Sequence, residues 1–259
     1  MSTQRKPEPA PPSAPPCTGG ESDGVLDRTY ARDRATKPVL RFRLAVRARV
    51  VADAIGRHPP GGGRLRVLDM GCAEGRTAAE ICRLLPGSSV DGIEYSRELV
   101  DAAAGLPDSV TVRLGDITAL PDDVAAESYE VVSALAVLEH LPSPVLAARE
   151  AWKALKPGGL FVATSPSPCW SRLAGKLRLL NDEAHVLSVD KAALLRVVKE
   201  AGLEPLEYRR FMWAPVAFLP YLRILPCAAA ALRIDRMVEA LWILNWTFVN
   251  QAIIARKPV

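Results

Sequence analysis

The chain has 259 residues, 49% hydrophobic and 24% charged, with a formal net charge of +4. That suits one globular domain plus a tail, and the mild excess of arginine between Arg28 and Arg49 falls short of a nucleic-acid footprint. Five cysteines without CxxC spacing argue against a disulfide framework or a zinc site.

Residues 1–24 are rich in Pro, Ser and Gly, bury too little apolar surface to order, and read as a disordered tail ahead of a domain over 25–259. That tail has no apolar run of the signal-peptide kind, and Phe211 to Leu232 is broken by three prolines and Arg223, so a cytoplasmic location is expected. From Pro38 to Ile55, Leu40, Leu44, Ala48, Val51 and Ile55 recur with helical period, with Arg49 and Arg57 on the far side. His58 lies in the Pro/Gly break that follows and reads as solvated.

Strands and helices then alternate. Strands are expected at 65–70, 89–94, 109–114, 129–135 and 160–164, with helices at 76–85, 97–104 and 144–155. The last helix is stopped by Lys156-Pro157-Gly158-Gly159. This order implies βαβ crossovers and a Rossmann-like three-layer α/β sandwich. A sixth strand at 205–211 and an antiparallel seventh at 248–256 complete a mostly parallel seven-stranded sheet.

VLDMGCAEG, residues 67–75, follows a buried strand and opens a helix. Gly71 and Gly75 allow a sharp turn and close approach to a ligand, and the helix N-terminus offers unpaired N–H groups. Asp69 sets a carboxylate at the strand tip, where open α/β sheets bind ligands. Glu94 ends the second strand, at a spacing suited to a ribose. Gly115-Asp116 follows the third strand and SALAVLEHL (133–141) the fourth. A nicotinamide-dependent dehydrogenase would carry GxGxxG, whereas only GxxxG occurs here.

VLDMGCAEG, LGD (114–116), VLEHL (137–141) and LKPGG (155–159) together resemble the small-molecule branch of the class I S-adenosylmethionine-dependent methyltransferases, across roughly 38–211 plus the last strand. The resemblance implies S-adenosyl-L-methionine as cofactor. It sets Asp69, Gly71, Ala73 and Gly75 around the methionine end, Glu94 at the ribose, Asp116 and Ile117 near adenine, and Tyr95 and Ala134 among the cofactor-binding residues. Ala73 stands where the family has glycine, so a slightly tighter loop is expected. Tyr30 is either a lid over the cofactor or part of a plain lead-in segment.

Methyl transfer is a direct displacement, and a general base is needed only for a protonated acceptor. His140 either serves there or shapes its loop. His185 either touches substrate or braces the helix that Ser188 caps. Cys169 follows Pro168, as in cytosine-C5 enzymes, but after the wrong strand, and reads as a pocket-wall or packing residue. The connection 212–247 is unusually apolar: MWAPVAFLPYLRILP, then a helix expected to gather Ile234, Met237, Val238 and Leu241 on one face opposite Arg233, Arg236 and Glu239. It reads as a packed helical cap or dimer contact, or else as a wall for a greasy acceptor or a membrane-dipping surface. The expected function is methylation of a hydrophobic small molecule, at oxygen by the family's habit, by a monomer or homodimer. The rival readings are a lipid, quinone or glycan-precursor enzyme at the membrane surface and a non-catalytic cofactor-binding scaffold.

Overall fold

The computed structural model describes residues 26–61, 63–170 and 189–259. The proline-rich segment 1–24, His185 and Ser188 lie outside the described residues.

Two helices come first, α1 (Arg28–Thr36) and α2 (Pro38–Arg57). Asp27 caps α1 by accepting the Tyr30 N–H, and Pro38 opens α2 where a missing N–H costs nothing. The alternation then runs β1 (Arg66–Met70), α3 (Arg76–Leu84), β2 (Ser89–Glu94), α4 (Arg97–Asp101), β3 (Val110–Leu114) and β4 (Tyr129–Leu135). After a 3₁₀ turn at Leu138–His140 come α5 (Pro144–Ala154), β5 (Leu155–Pro166), α6 (Lys191–Glu200) and β6 (Glu204–Trp213). The cap follows as α7 (Ala214–Phe218), a 3₁₀ turn, α8 (Ala228–Glu239) and a second 3₁₀ turn, and the chain returns along β7 (Phe248–Arg256).

The seven strands stand in the order β3-β2-β1-β4-β5-β7-β6. The β1–β5 pairs are parallel, and β7 runs antiparallel to both β5 and β6. The expected Rossmann-like sandwich is therefore observed. β1 and β4 are buried along almost their whole length because helices cover both their faces, as parallel sheets require. Alternate residues feed two cores. Val67, Val131, Leu160, Val162 and Ile254 pack toward α2 and α3, while Leu68, Val132, Phe161, Ala163 and Ile253 pack toward α5 and α6.

Two helical faces differ from expectation. On α2 the buried stripe runs Phe42, Val46, Val50 and Ala54, with Ala48 and Val51 beside it, and Leu40, Leu44 and Ile55 are only partly covered. Both stripes have helical spacing, and contact with α3 and the cap selects the one centred on Val46 and Val50. On α8 the buried residues are Ala231, Leu232, Asp235 and Val238, while Ile234, Met237 and Leu241 face outward. A buried acid sets that rotation: Asp235 accepts the Met212 N–H at 2.7 Å and the Trp213 N–H at 2.8 Å, tying α8 to the end of β6. Burial raises the Asp235 pKa to about 6.

Candidate active site

The carboxyl ends of β1, β2, β3 and β4 share one edge of the sheet, and the sequence signals converge there. Asp69, fully buried near the tip of β1, accepts the Ser133 hydroxyl at 2.6 Å. Burial is the main cause that lifts its pKa to about 6, and Glu94 adds to it, against the pull of Ser133 and Arg34.

The chain then turns through three left-handed residues, Gly71 (φ +76°), Ala73 (φ +51°) and Gly75 (φ +80°). A Cβ on Gly71 would stand 2.6 Å from Val137 Cγ2, so glycine is required there by space and backbone alike. Ala73 occupies the region without that freedom, and its methyl joins Ala31 and Leu99 in a small apolar cluster. The alanine thus serves as a strut between the loop and α1, a role beyond the expected tightening.

Glu94 fastens the loop, one carboxylate oxygen accepting the Ala73 N–H and the other the Ser96 N–H, each at 2.9 Å. Each oxygen keeps a further accepting direction. Tyr95 is 59% exposed beside it. After β3, exposed Asp116 accepts both the N–H and the hydroxyl of Thr118 at 2.7 Å, while Ile117 is buried against the β1–β2 core. Ala134 is buried within β4, and His140 lies half-buried in the 3₁₀ turn beyond that strand.

Not every candidate gathers here. His58 caps the far end of α2 and is half-buried 3.2 Å from Glu207, so it is not simply solvated. Cys169 is exposed rather than packed, because β5 runs on to Pro166 and carries the following residues past the sheet edge. Tyr30 lies on α1, with the Arg34 guanidinium 5.5 Å above its ring, in place of the lead-in segment that was one reading of it. Among the described residues no group of three His, Cys, Asp or Glu side chains could hold a metal ion.

The arginines under the loop went unread in the sequence. Arg34 is buried, donates to Thr77 Oγ1 at 2.6 Å and stands 3.3 Å from the carboxylate of Glu74, a buried acid of the loop whose pKa is raised chiefly by burial. Arg47 on α2 has a sealed Nε, its pKa is lowered by burial, and Tyr30, Arg43, Glu139 and Arg34 are its charged or polar neighbours. The usable signal was Asp27 followed by a run of helix formers, which predicts the α1 cap.

A family model described as a methyltransferase domain matches residues 31–208. The chain belongs to this family. It is a class I S-adenosylmethionine-dependent methyltransferase, as the signature residues implied. It is 32% identical over 166 residues to a ubiquinone biosynthesis O-methyltransferase of Bordetella pertussis, covering 58% of this chain and 67% of that protein. A protein of the same name from Xanthomonas oryzae pv. oryzae is 39% identical over 107 residues, 38% of this chain and only 42% of that one. The methyltransferase also shares its fold with the [4+2]-cyclase SpnF, with a TM-score of 0.55, 22% identity and coverage of 92% and 85%. A Haemonchus contortus phosphoethanolamine N-methyltransferase 2 solved with S-adenosyl-L-methionine gives a TM-score of 0.58 at 16% identity, covering 80% and 52%. Among the described residues no helix is long and apolar enough to cross a membrane.

Proposed function

We propose that the methyltransferase transfers the methyl group of S-adenosyl-L-methionine to an oxygen of a hydrophobic small molecule, with residues 25–259 as one catalytic domain. The carrying observation is topological. β6 ends and β7 begins on the same sheet edge as the cofactor loop, so the apolar connection between them stands where an acceptor must approach. The ubiquinone O-methyltransferase relatives, which act on oxygen by name, favour the same choice of atom.

The residues present fit the cofactor. A buried carboxylate at Asp69, a loop of three left-handed residues and an acid at Glu94 with spare accepting directions suit a ligand carrying an ammonium group and ribose hydroxyls. In this reading Asp69, Gly71, Ala73 and Gly75 enclose the amino-acid end. Glu94 and Tyr95 meet the ribose, Asp116 and Ile117 flank the adenine, Ala134 floors the site, and Tyr30 covers it from α1. When bound, the cofactor supplies an electrophilic methyl group on a sulfonium. In this reading the protein aligns the acceptor and keeps water away, and His140 takes the proton of an acceptor that arrives protonated.

Because SpnF, a [4+2]-cyclase, shares the fold, activity has to be measured directly. Purified protein incubated with isotopically labelled methyl donor and an organic extract of host metabolites should give a labelled, organic-soluble product that releases labelled iodomethane on cleavage with hydriodic acid. Binding of S-adenosylhomocysteine with no labelled product from any extract would support the non-catalytic scaffold and overturn this reading.

A further inference from the structure

Of the seventeen large apolar side chains exposed among the described residues, eleven fall between residues 218 and 246. Soluble monomers seldom gather so many exposed apolar groups in one short stretch without a partner. The inner face of the connection is spent: Val216, Ala217, Ala231 and Leu232 pack against the core under α2, and Asp235 locks α8 in that orientation. Leu222, Met237, Trp242, Ile243 and Trp246 are thereby turned outward, each more than 60% exposed.

The charges name the partner. Asp235 and Glu239 are the only acids between 214 and 247, and Asp235 is buried while Glu239 is half-buried and accepts the Arg210 N–H. Exposed Arg223 and Arg233 form no ion pair among the described residues, whereas Arg236 is matched by Asp53. A second copy meeting this face through a two-fold axis would bring unpaired arginines together with no exposed acid to answer them. An anionic bilayer answers both features. Lipid phosphates pair with the arginines, and Trp and Tyr prefer the headgroup boundary, where one side of the ring is apolar and the other wet.

We infer that the outer face of the connection between β6 and β7 docks on an anionic lipid surface, with Tyr221, Leu222, Trp242, Ile243 and Trp246 inserted at the headgroup level and Arg223 and Arg233 on phosphates. The connection leaves and rejoins the sheet at the cofactor edge, paired at Trp213 and Phe248. Docking therefore brings the methyl-transfer edge up to the bilayer, and a lipophilic acceptor reaches it without crossing bulk water. That last step rests on the hydrophobic acceptor proposed above, whereas docking itself does not.

Flotation of the full chain with phosphatidylcholine vesicles, with or without phosphatidylglycerol, tests docking with no acceptor or methyl transfer involved, so a failed activity assay leaves its result standing. The wild type should float with the anionic vesicles, more weakly in high salt, with tryptophan emission shifted to the blue. Joint Trp242→Ser and Trp246→Ser should weaken vesicle affinity about tenfold or more, and Arg223→Glu with Arg233→Glu should abolish the preference for anionic lipid. Leu146→Ser, at an exposed position of α5, should float like the wild type, and every variant should bind S-adenosylhomocysteine normally. The inference is overturned if the wild type floats with neither vesicle, or if the tryptophan variant floats undiminished. A wild-type dimer that the tryptophan substitutions split, without vesicle binding, would assign the face to a second copy.

Discussion

Asp69 holds a carboxylate where solvation is poorest, and the cost can be read as a pH dependence. Its pKa is about 6 in the fold against 3.8 for an exposed aspartate, so between those values the folded state keeps a proton that the unfolded state has lost. Stability from this group therefore falls as pH rises. By linkage the penalty is about 2 kcal/mol at pH 5 and about 3 kcal/mol by pH 7.5. Asp69→Asn removes the charge while leaving an oxygen to accept the Ser133 hydroxyl. Urea unfolding of both proteins across this range subtracts every other titrating group. The variant-minus-wild-type stability should grow by about 1 kcal/mol from pH 5 to pH 7.5, or roughly 2–4 °C in melting temperature. The same substitution should raise the S-adenosylhomocysteine dissociation constant about tenfold or more by calorimetry, because the ligand's ammonium loses its anion. A stability difference that stays level across the pH range would refute the burial argument, and unchanged affinity would remove Asp69 from the cofactor site.

Gly71→Ala should lower stability by about 2 kcal/mol or more and abolish S-adenosylhomocysteine binding, since it combines a left-handed backbone with overlap on Val137; urea titration and calorimetry report both. Arg34→Met should cost about 3 kcal/mol by leaving Glu74 buried with only Arg76, at 3.6 Å, as a cation, and adding Glu74→Gln should restore much of that loss in a double-mutant cycle. Asp235→Ala should cost about 2 kcal/mol by orphaning two buried N–H groups, and limited proteolysis should then cut first within 214–247.

The sheet was legible because its grammar is local. Short, largely apolar runs gave β2, β4 and β7 to the residue, and Lys156-Pro157-Gly158-Gly159 marked the end of α5, with Gly158 at φ +77°. The turn of the candidate cofactor loop was legible for the same reason, since Gly71 and Gly75 answer a demand of the backbone itself. What escaped is decided by tertiary partners. Helical spacing on α8 admits two apolar faces, and the buried one is chosen by Asp235 reaching two amides at residues 212 and 213, which no local pattern records. Arg34 and Arg47 belong to an arginine-rich stretch whose pattern gives no sign of burial, and only the fold turns them inward beneath the loop. Tyr30 gained its place the same way, through a helix α1 that rests on Ala73 and Leu99.

Trp213 and Phe248 lie opposite each other in the sheet, so the excursion between them starts and finishes at neighbouring points. A detour with adjacent ends can be lengthened, trimmed or exchanged for about 0.6 kcal/mol per doubling of its length, with no shift in strand register. Its inner side chains, Val216, Ala217, Ala231 and Leu232, pack under α2 and have to be kept in any such exchange. Divergence among relatives can then concentrate in the outward-facing residues of this piece, and chimeras joined at these two residues that keep the inner face are the natural way to move selectivity from one enzyme to another.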